Sequence, residues 1–213
     1  YVLIIKLINM LANIILITFF LSCDYEEDKS STIDEKIDDT TVVDINGLLQ
    51  VSGNQIINKN GVPVNAVFGF TKMLIKLIDD LKPHYAAVIF DVSRKTFRND
   101  LFEFYKANRS EPPEDLIPQF SLIREATEAI GLPVVEMEGF EADDLIATYA
   151  NIALKSTKKA IVVSSDKDLM QLVDHNTLLF DPMKQLWIDD VKVYDKFGVP
   201  PKKVIDVQSL AGD

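Results

Sequence analysis

Acidic residues stand wherever a metal-dependent phosphodiesterase would need them. Asp91 follows the apolar run Ala86, Ala87, Val88, Ile89 and Phe90, and Glu141, Asp143 and Asp144 crowd the stretch that begins at Gly139. Asp166 and Asp168 follow the run from Ala160 to Ser165, and Asp213 closes the chain. Carboxylates gathered in one crevice repel, and their pKa values rise unless a cation neutralises them. A hard ion such as Mg²⁺ suits an all-oxygen donor set and keeps some of its waters. Each group also has a plain structural reading. Acids favour the positive end of a helix dipole, and Asp is a common N-cap.

A second constellation is basic and aromatic. Arg94, Lys95, Phe97 and Arg98 are followed by Phe102, Phe104, Tyr105, Lys106 and Arg109. Arg and Lys contact phosphates, and aromatic rings offer bases a stacking platform. The same pattern fits a solvated helix with an apolar stripe. Lys167, between two candidate ligands, faces either a phosphate or water.

The elements that would position these residues alternate between strands and helices. Apolar spacing predicts helices over 67–81, 97–106, 141–154, 189–197 and 201–210, a short one over 168–173, and another running from Glu111 to about Ile130. Strands are predicted near 41–44, 85–90, 133–137 and 159–164, with short ones at 178–180 and 186–188 forming a hairpin. Residues 58–61 read as a turn. Alternating strands and helices imply an α/β fold, with a mostly parallel central sheet flanked by helices. In such a sheet the carboxyl ends of the strands face one crevice, which brings Asp91 and Asp166 together from distant parts of the chain.

Composition sets limits. The chain has 213 residues, 47% of them apolar and 26% charged, enough for one domain with a sizeable core. A net charge of -11 argues against binding nucleic acid over the whole surface and leaves room for a local basic patch. One cysteine permits no internal disulfide, and no spaced Cys/His set points to zinc. His84 and His175 read as surface or structural residues.

The amino terminus differs from the rest. Residues 1–23 form an apolar segment that ends at Ser22 and Cys23, the pattern of a bacterial lipoprotein signal or membrane anchor. It is expected to be an apolar helix outside the domain. Residues 24–40 read as an acidic linker, and residues 41–213 as the working domain. Unrelated fused sequence is an equal alternative for the first segment. A cytoplasmic location is expected, and a membrane-anchored one if the segment acts as an anchor.

Taken in order, Phe90-Asp91, Phe97-Arg98, the run from Tyr105 to Arg109, Pro113 to Asp115, Gly139 to Asp144 and Ser165 to Leu169 resemble the 5′-3′ exonuclease domain of bacterial DNA polymerase I. That domain belongs to the flap-endonuclease group of PIN-like nucleases, and the resemblance covers roughly residues 58–213. It implies hydrolysis of phosphodiesters at DNA 5′ ends in replication and repair, with two divalent ions, Mg²⁺ or Mn²⁺. The implied substrates are a 5′ flap, a nicked duplex or an RNA primer. By position, Asp91, Glu141 and Asp143 match the ligands of one ion, with Asp144 close by, and Asp166, Asp168 and Asp213 match a second group. Arg98, Tyr105, Lys106 and Arg109 match the residues that handle the 5′ end.

The ends depart from the family pattern. The first family Asp finds its nearest counterpart in Asp44, but the interval to Gly61 is short and residues 50–55 contain no Arg. The family's helix-hairpin-helix part is expected to be lacking, and so is the polymerase domain that the family carries on the same chain. An inactive DNA- or metal-binding fragment, tethered to a membrane through Cys23, is therefore the alternative. A PIN-type ribonuclease is a third reading, against which the basic segment 97–109 weighs.

Overall fold

The computed structural model describes residues 2–6, 49–52, 55–156 and 159–211. The expectations placed on 7–48, including Cys23, the acidic linker and Asp44, and on Asp213 lie outside these residues.

The frame is a six-stranded sheet. Its strands are β1 (Val2–Lys6), β4 (Tyr85–Ile89), β5 (Val134–Val135), β6 (Ala160–Ser164), β7 (Thr177–Asp181) and β8 (Leu186–Ile188), in the order β5-β4-β1-β6-β7-β8. All neighbours are parallel except β7 and β8, which form the expected antiparallel hairpin. A separate antiparallel pair joins β2 (Leu49–Ser52) to β3 (Gln55–Asn58). Strand order reverses at β1. From there the chain builds outward first through β4 and β5, then on the other side through β6. A reversal of this kind opens a crevice at the carboxyl edge.

One expectation is corrected here. Val2–Lys6 is not part of a helix outside the domain but the central strand, in register with β4 from Val2↔Tyr85 and with β6 from Val2↔Ala160. A short apolar run rich in β-branched residues is indistinguishable by periodicity from a buried helix segment. Two waiting strand edges decide the matter, because unpaired backbone groups on β4 and β6 need partners. Among the described residues no helix is long and apolar enough to cross a membrane.

Side chains alternate across the strands and divide the core in two. On one face Val88, Phe90, Ile161 and Val163 meet α1 (Asn65–Leu81) through Phe70, Leu74 and Leu77, and α3 (Gln119–Ala129) through Ile123. On the other, Ile89, Ala160 and Val162 meet α4 (Ala142–Lys155) through Ala142, Leu145, Ile146, Ala150 and Ala153. Every residue of β6 is buried, as a strand covered on both faces requires. Beyond β8 lie α5 (Asp190–Phe197), a 3₁₀ turn at Pro201–Lys203 and α6 (Val204–Ala211).

Two predicted helices are shorter than their spacing implies. The segment expected to be helical over 97–106 forms only α2 (Phe97–Leu101) before breaking into turns. Its apolar side chains have nothing to cover them: Leu101 is 80% exposed, Phe102 60% and Phe104 69%. A short helix without a buried face lacks the tertiary packing that would sustain it. Similarly, the stretch from Glu111 is made of turns until α3 begins at Gln119.

Candidate active site

Asp91 leaves the end of β4 and accepts a hydrogen bond at Oδ1 from the Ala142 N–H, 2.8 Å away. That N–H is one of the orphan donors of the first turn of α4, so the strand end and the helix start are locked together. Arg124 of α3 supports the same corner. It donates to the Asp91 carbonyl at 3.0 Å, to the Phe120 carbonyl at 3.2 Å and to Glu136 at 2.9 Å, with its guanidinium over the Phe90 ring.

At the start of α4 the acids meet the basic segment. Asp144 closes back on the Glu141 N–H at 3.0 Å, as a third-position cap does. Arg98 of α2 donates two hydrogen bonds to Asp144, both at 2.7 Å. Lys106 donates to Glu141 Oε1 at 2.7 Å, and the Tyr105 hydroxyl donates to Oε2 at 3.3 Å. Residues 96–97 are held against the helix start by backbone pairing: Thr96 bridges to Gly139, and the Phe97 N–H donates to the Gly139 carbonyl at 2.9 Å. Gly139 has φ +80°, in the left-handed region that favours glycine.

The charges follow this geometry. The Arg98 hydrogen bonds hold the Asp144 carboxyl below its ordinary pKa, against partial burial that acts the other way. The same bonds raise Arg98. Burial works against the charge on Lys106, but the Glu141 carboxylate outweighs it and the ammonium is raised. Burial raises the Tyr105 hydroxyl.

The Asp166 group lies at the end of β6. Asp166 accepts from the Asp168 N–H at 2.8 Å, and its own N–H donates to the Ser164 hydroxyl at 3.0 Å, so the acids sit on a tight turn opening the 3₁₀ segment Lys167–Leu172. Asp168 accepts a hydrogen bond from the Gln208 side chain of α6. The β4 and β6 ends are two strands apart, about 10 Å by ordinary sheet spacing, with the Lys6 end of β1 between them.

Each described candidate thus falls at the carboxyl edge of the sheet or beside it. Hydrogen bonds join Glu141, Asp144, Arg98, Tyr105 and Lys106 around the first turn of α4, which also carries Asp143 and binds Asp91 through its backbone, and Asp166 with Asp168 forms a second group. Arg109 is exposed and near enough to Lys106 to oppose its charge. The donors are hard oxygens and suit Mg²⁺ or Mn²⁺ in kind. Their placement differs from a ready-made site: among the described residues no three acidic or histidine side chains are gathered to hold an ion. Glu141, Asp144 and Asp168 are turned instead toward Lys106, Tyr105, Arg98 and Gln208, and Asp91 and Asp166 toward backbone N–H groups. His84 and His175 are exposed, as expected.

Three supporting residues are absent from the sequence reading. Ser164 and Gln208 look like ordinary strand and helix residues. Arg124 left a trace, as a lone cation on a helix whose neighbours Phe120 and Ile123 are apolar.

The arrangement is an α/β crevice with acids at its strand ends, and the chain belongs to the family described as the 5′-3′ exonuclease, N-terminal resolvase-like domain, whose model matches residues 45–198. It is 55% identical over 161 residues to DNA polymerase I of Rhizobium leguminosarum, covering 72% of this chain and 16% of that protein. It is 41% identical over 169 residues to a 5′-3′ exonuclease of Bacillus subtilis, covering 76% of this chain and 56% of that one. The chain therefore spans only part of the relatives it matches. Among solved structures, the T5 D15 protein co-crystallised with metal ions shares the fold, with a TM-score of 0.60 and 19% identity over 69% of this chain and 59% of that chain.

Proposed function

We propose that this chain is the nuclease part of a divalent-metal-dependent 5′-3′ exonuclease or flap endonuclease acting on DNA 5′ ends in replication and repair. The observation that carries the reading is the joining of Asp91 to the first turn of α4, which sets a strand-end carboxylate beside Glu141, Asp143 and Asp144. Family membership supports it. The proposed donors to one ion are Asp91, Glu141 and Asp143. Asp166 and Asp168, with Asp213, are the proposed donors to a second, and Asp44 is a further candidate. When bound, a pair of Mg²⁺ or Mn²⁺ ions supplies Lewis acidity and a water of lowered pKa.

The chain's own residues do the rest. Lys106 and Arg109 present positive charge to the phosphate beside the acids, where attraction draws the 5′ end despite the overall charge. Arg98 keeps Asp144 ionised and ties α2 to the site. Tyr105 orients Glu141 through its hydroxyl. Proposed substrates are a 5′ flap, a nicked duplex and an RNA primer. A polymerase domain, which the family carries on the same chain, is the proposed partner, and the cytoplasm is the proposed location.

The experiment is metal-dependent cleavage of a labelled 5′-flap DNA by the full chain, with Asp143→Ala as control. Cleavage that needs Mg²⁺ or Mn²⁺ and vanishes in the control is expected. No cleavage from folded protein would overturn the catalytic reading. It would leave the second one, a DNA- or metal-binding piece without activity, which the ion-paired state of Glu141 and Asp144 favours.

A further inference from the structure

The acids at the start of α4 already have counter-ions, and the two pairs are built differently. Arg98 is fixed: two bonds to Asp144, a guanidinium 4.6 Å from the Phe97 ring centroid, and a place in α2 beside the Thr96–Gly139 bridge. Lys106 is a point charge on a turn. Its ammonium makes one ion pair, 2.7 Å to Glu141, and lies 5.1 Å from the Tyr105 ring centroid on the same turn; its backbone stands at φ +56°, a region non-glycine residues avoid. Such strain persists only where surroundings over-determine it, and it marks switch segments. The flanking turns expose Phe102 and Phe104, so they are held by their own turn hydrogen bonds and by the Asn99 side chain donating to the Tyr105 carbonyl rather than by core packing.

Glu141 is 9% exposed. A carboxylate so buried needs a cation beside it. The Arg98 guanidinium stands 3.8 Å from Glu141 Oε2 but directs its two short hydrogen bonds to Asp144, so the close contact at Oε1 falls to the Lys106 ammonium or to a divalent ion, and a divalent ion on Glu141 would repel the ammonium. We infer that Lys106 is a latch that closes Glu141 while no divalent cation is bound, and that cation binding exchanges it out toward the phosphate path beside Arg109. This inference rests on the metal-dependent reading above. Strain at Lys106 lowers the cost of release, while the doubly bonded Arg98 stays on Asp144. By linkage, a phosphate that engages Lys106 frees Glu141, so nucleic acid and metal each tighten the other.

The test is Mn²⁺ binding to the full chain without DNA, followed by electron paramagnetic resonance, for wild type, Lys106→Met and Arg109→Met. Arg109→Met removes the same unit charge without touching Glu141. Lys106→Met is expected to bind Mn²⁺ on the order of tenfold more tightly, with Arg109→Met little changed. On the wild type, saturating Mn²⁺ should raise the rate of Lys106 amine acylation, read by peptide mass spectrometry against exposed Lys59. This readout decides the matter if the variant does not fold. Wild type that binds no Mn²⁺ would remove the metal reading and the latch together. Measurable binding with Lys106→Met no tighter, with both variants tightened equally, or with unchanged acylation would remove the latch alone.

Discussion

Replacing Arg98 with Met tests the main electrostatic joint of the site. The change keeps the side chain's apolar length over Phe97 and removes both hydrogen bonds to Asp144. The pair is neither surface nor core, with side chains 29% and 26% exposed. Hydrogen bonds to charged groups contribute about 1.5–3 kcal/mol, and orphaning a fully buried charge costs about 3–5 kcal/mol. Asp144 keeps some access to water and its bond from the Glu141 N–H, so the loss should be about 2–3 kcal/mol. For a chain of this size that lowers Tm by about 5–10 °C. Circular dichroism during thermal and urea unfolding measures it, and a double-mutant cycle with Asp144→Asn isolates the pair, with a coupling of about 2 kcal/mol expected. The pH dependence has a definite sign. Because Asp144 is depressed in the folded state, its contribution is fully present above its unfolded pKa and is lost as pH falls through the lower folded value. An Arg98→Met variant within about 0.5 kcal/mol of wild type, or a coupling that persists in strong acid, would refute the reasoning.

Further consequences are as concrete. Gln208→Leu removes the side-chain donor to Asp168 and should weaken Mn²⁺ binding several-fold, by calorimetry, with little change in Tm. Gly139→Ala meets no neighbouring atom at its new Cβ, so only the positive φ matters; a loss of about 1 kcal/mol in urea unfolding is expected. Ile146→Ala opens a void in the core under α4 and should cost about 2–5 kcal/mol. A chain begun at Thr40 lacks β1 and should lose cooperative unfolding, because β4 and β6 are left with open edges.

Much of this was legible from residue order alone. The apolar runs before Asp91 and Asp166 read as strands and form β4 and β6, and the helices expected to end at Leu81 and about Ile130 end in the structure at Leu81 and Ala129. Acids at two strand ends and at the start of one helix already indicated a shared crevice, because parallel strands present their carboxyl ends on one side. Local pattern could not decide what depends on distant partners. Val2–Lys6 reads as part of an apolar helix until two open strand edges receive it as β1. The stripe after Leu101 reads as helix until no surface exists to bury it. Arg98 and Lys106 read as phosphate contacts and Tyr105 as an aromatic platform, and only tertiary structure turned them onto Asp144 and Glu141, because a buried carboxylate takes the nearest cation and donor the fold supplies. Chemistry is written in residue types; which charge faces which is settled by packing.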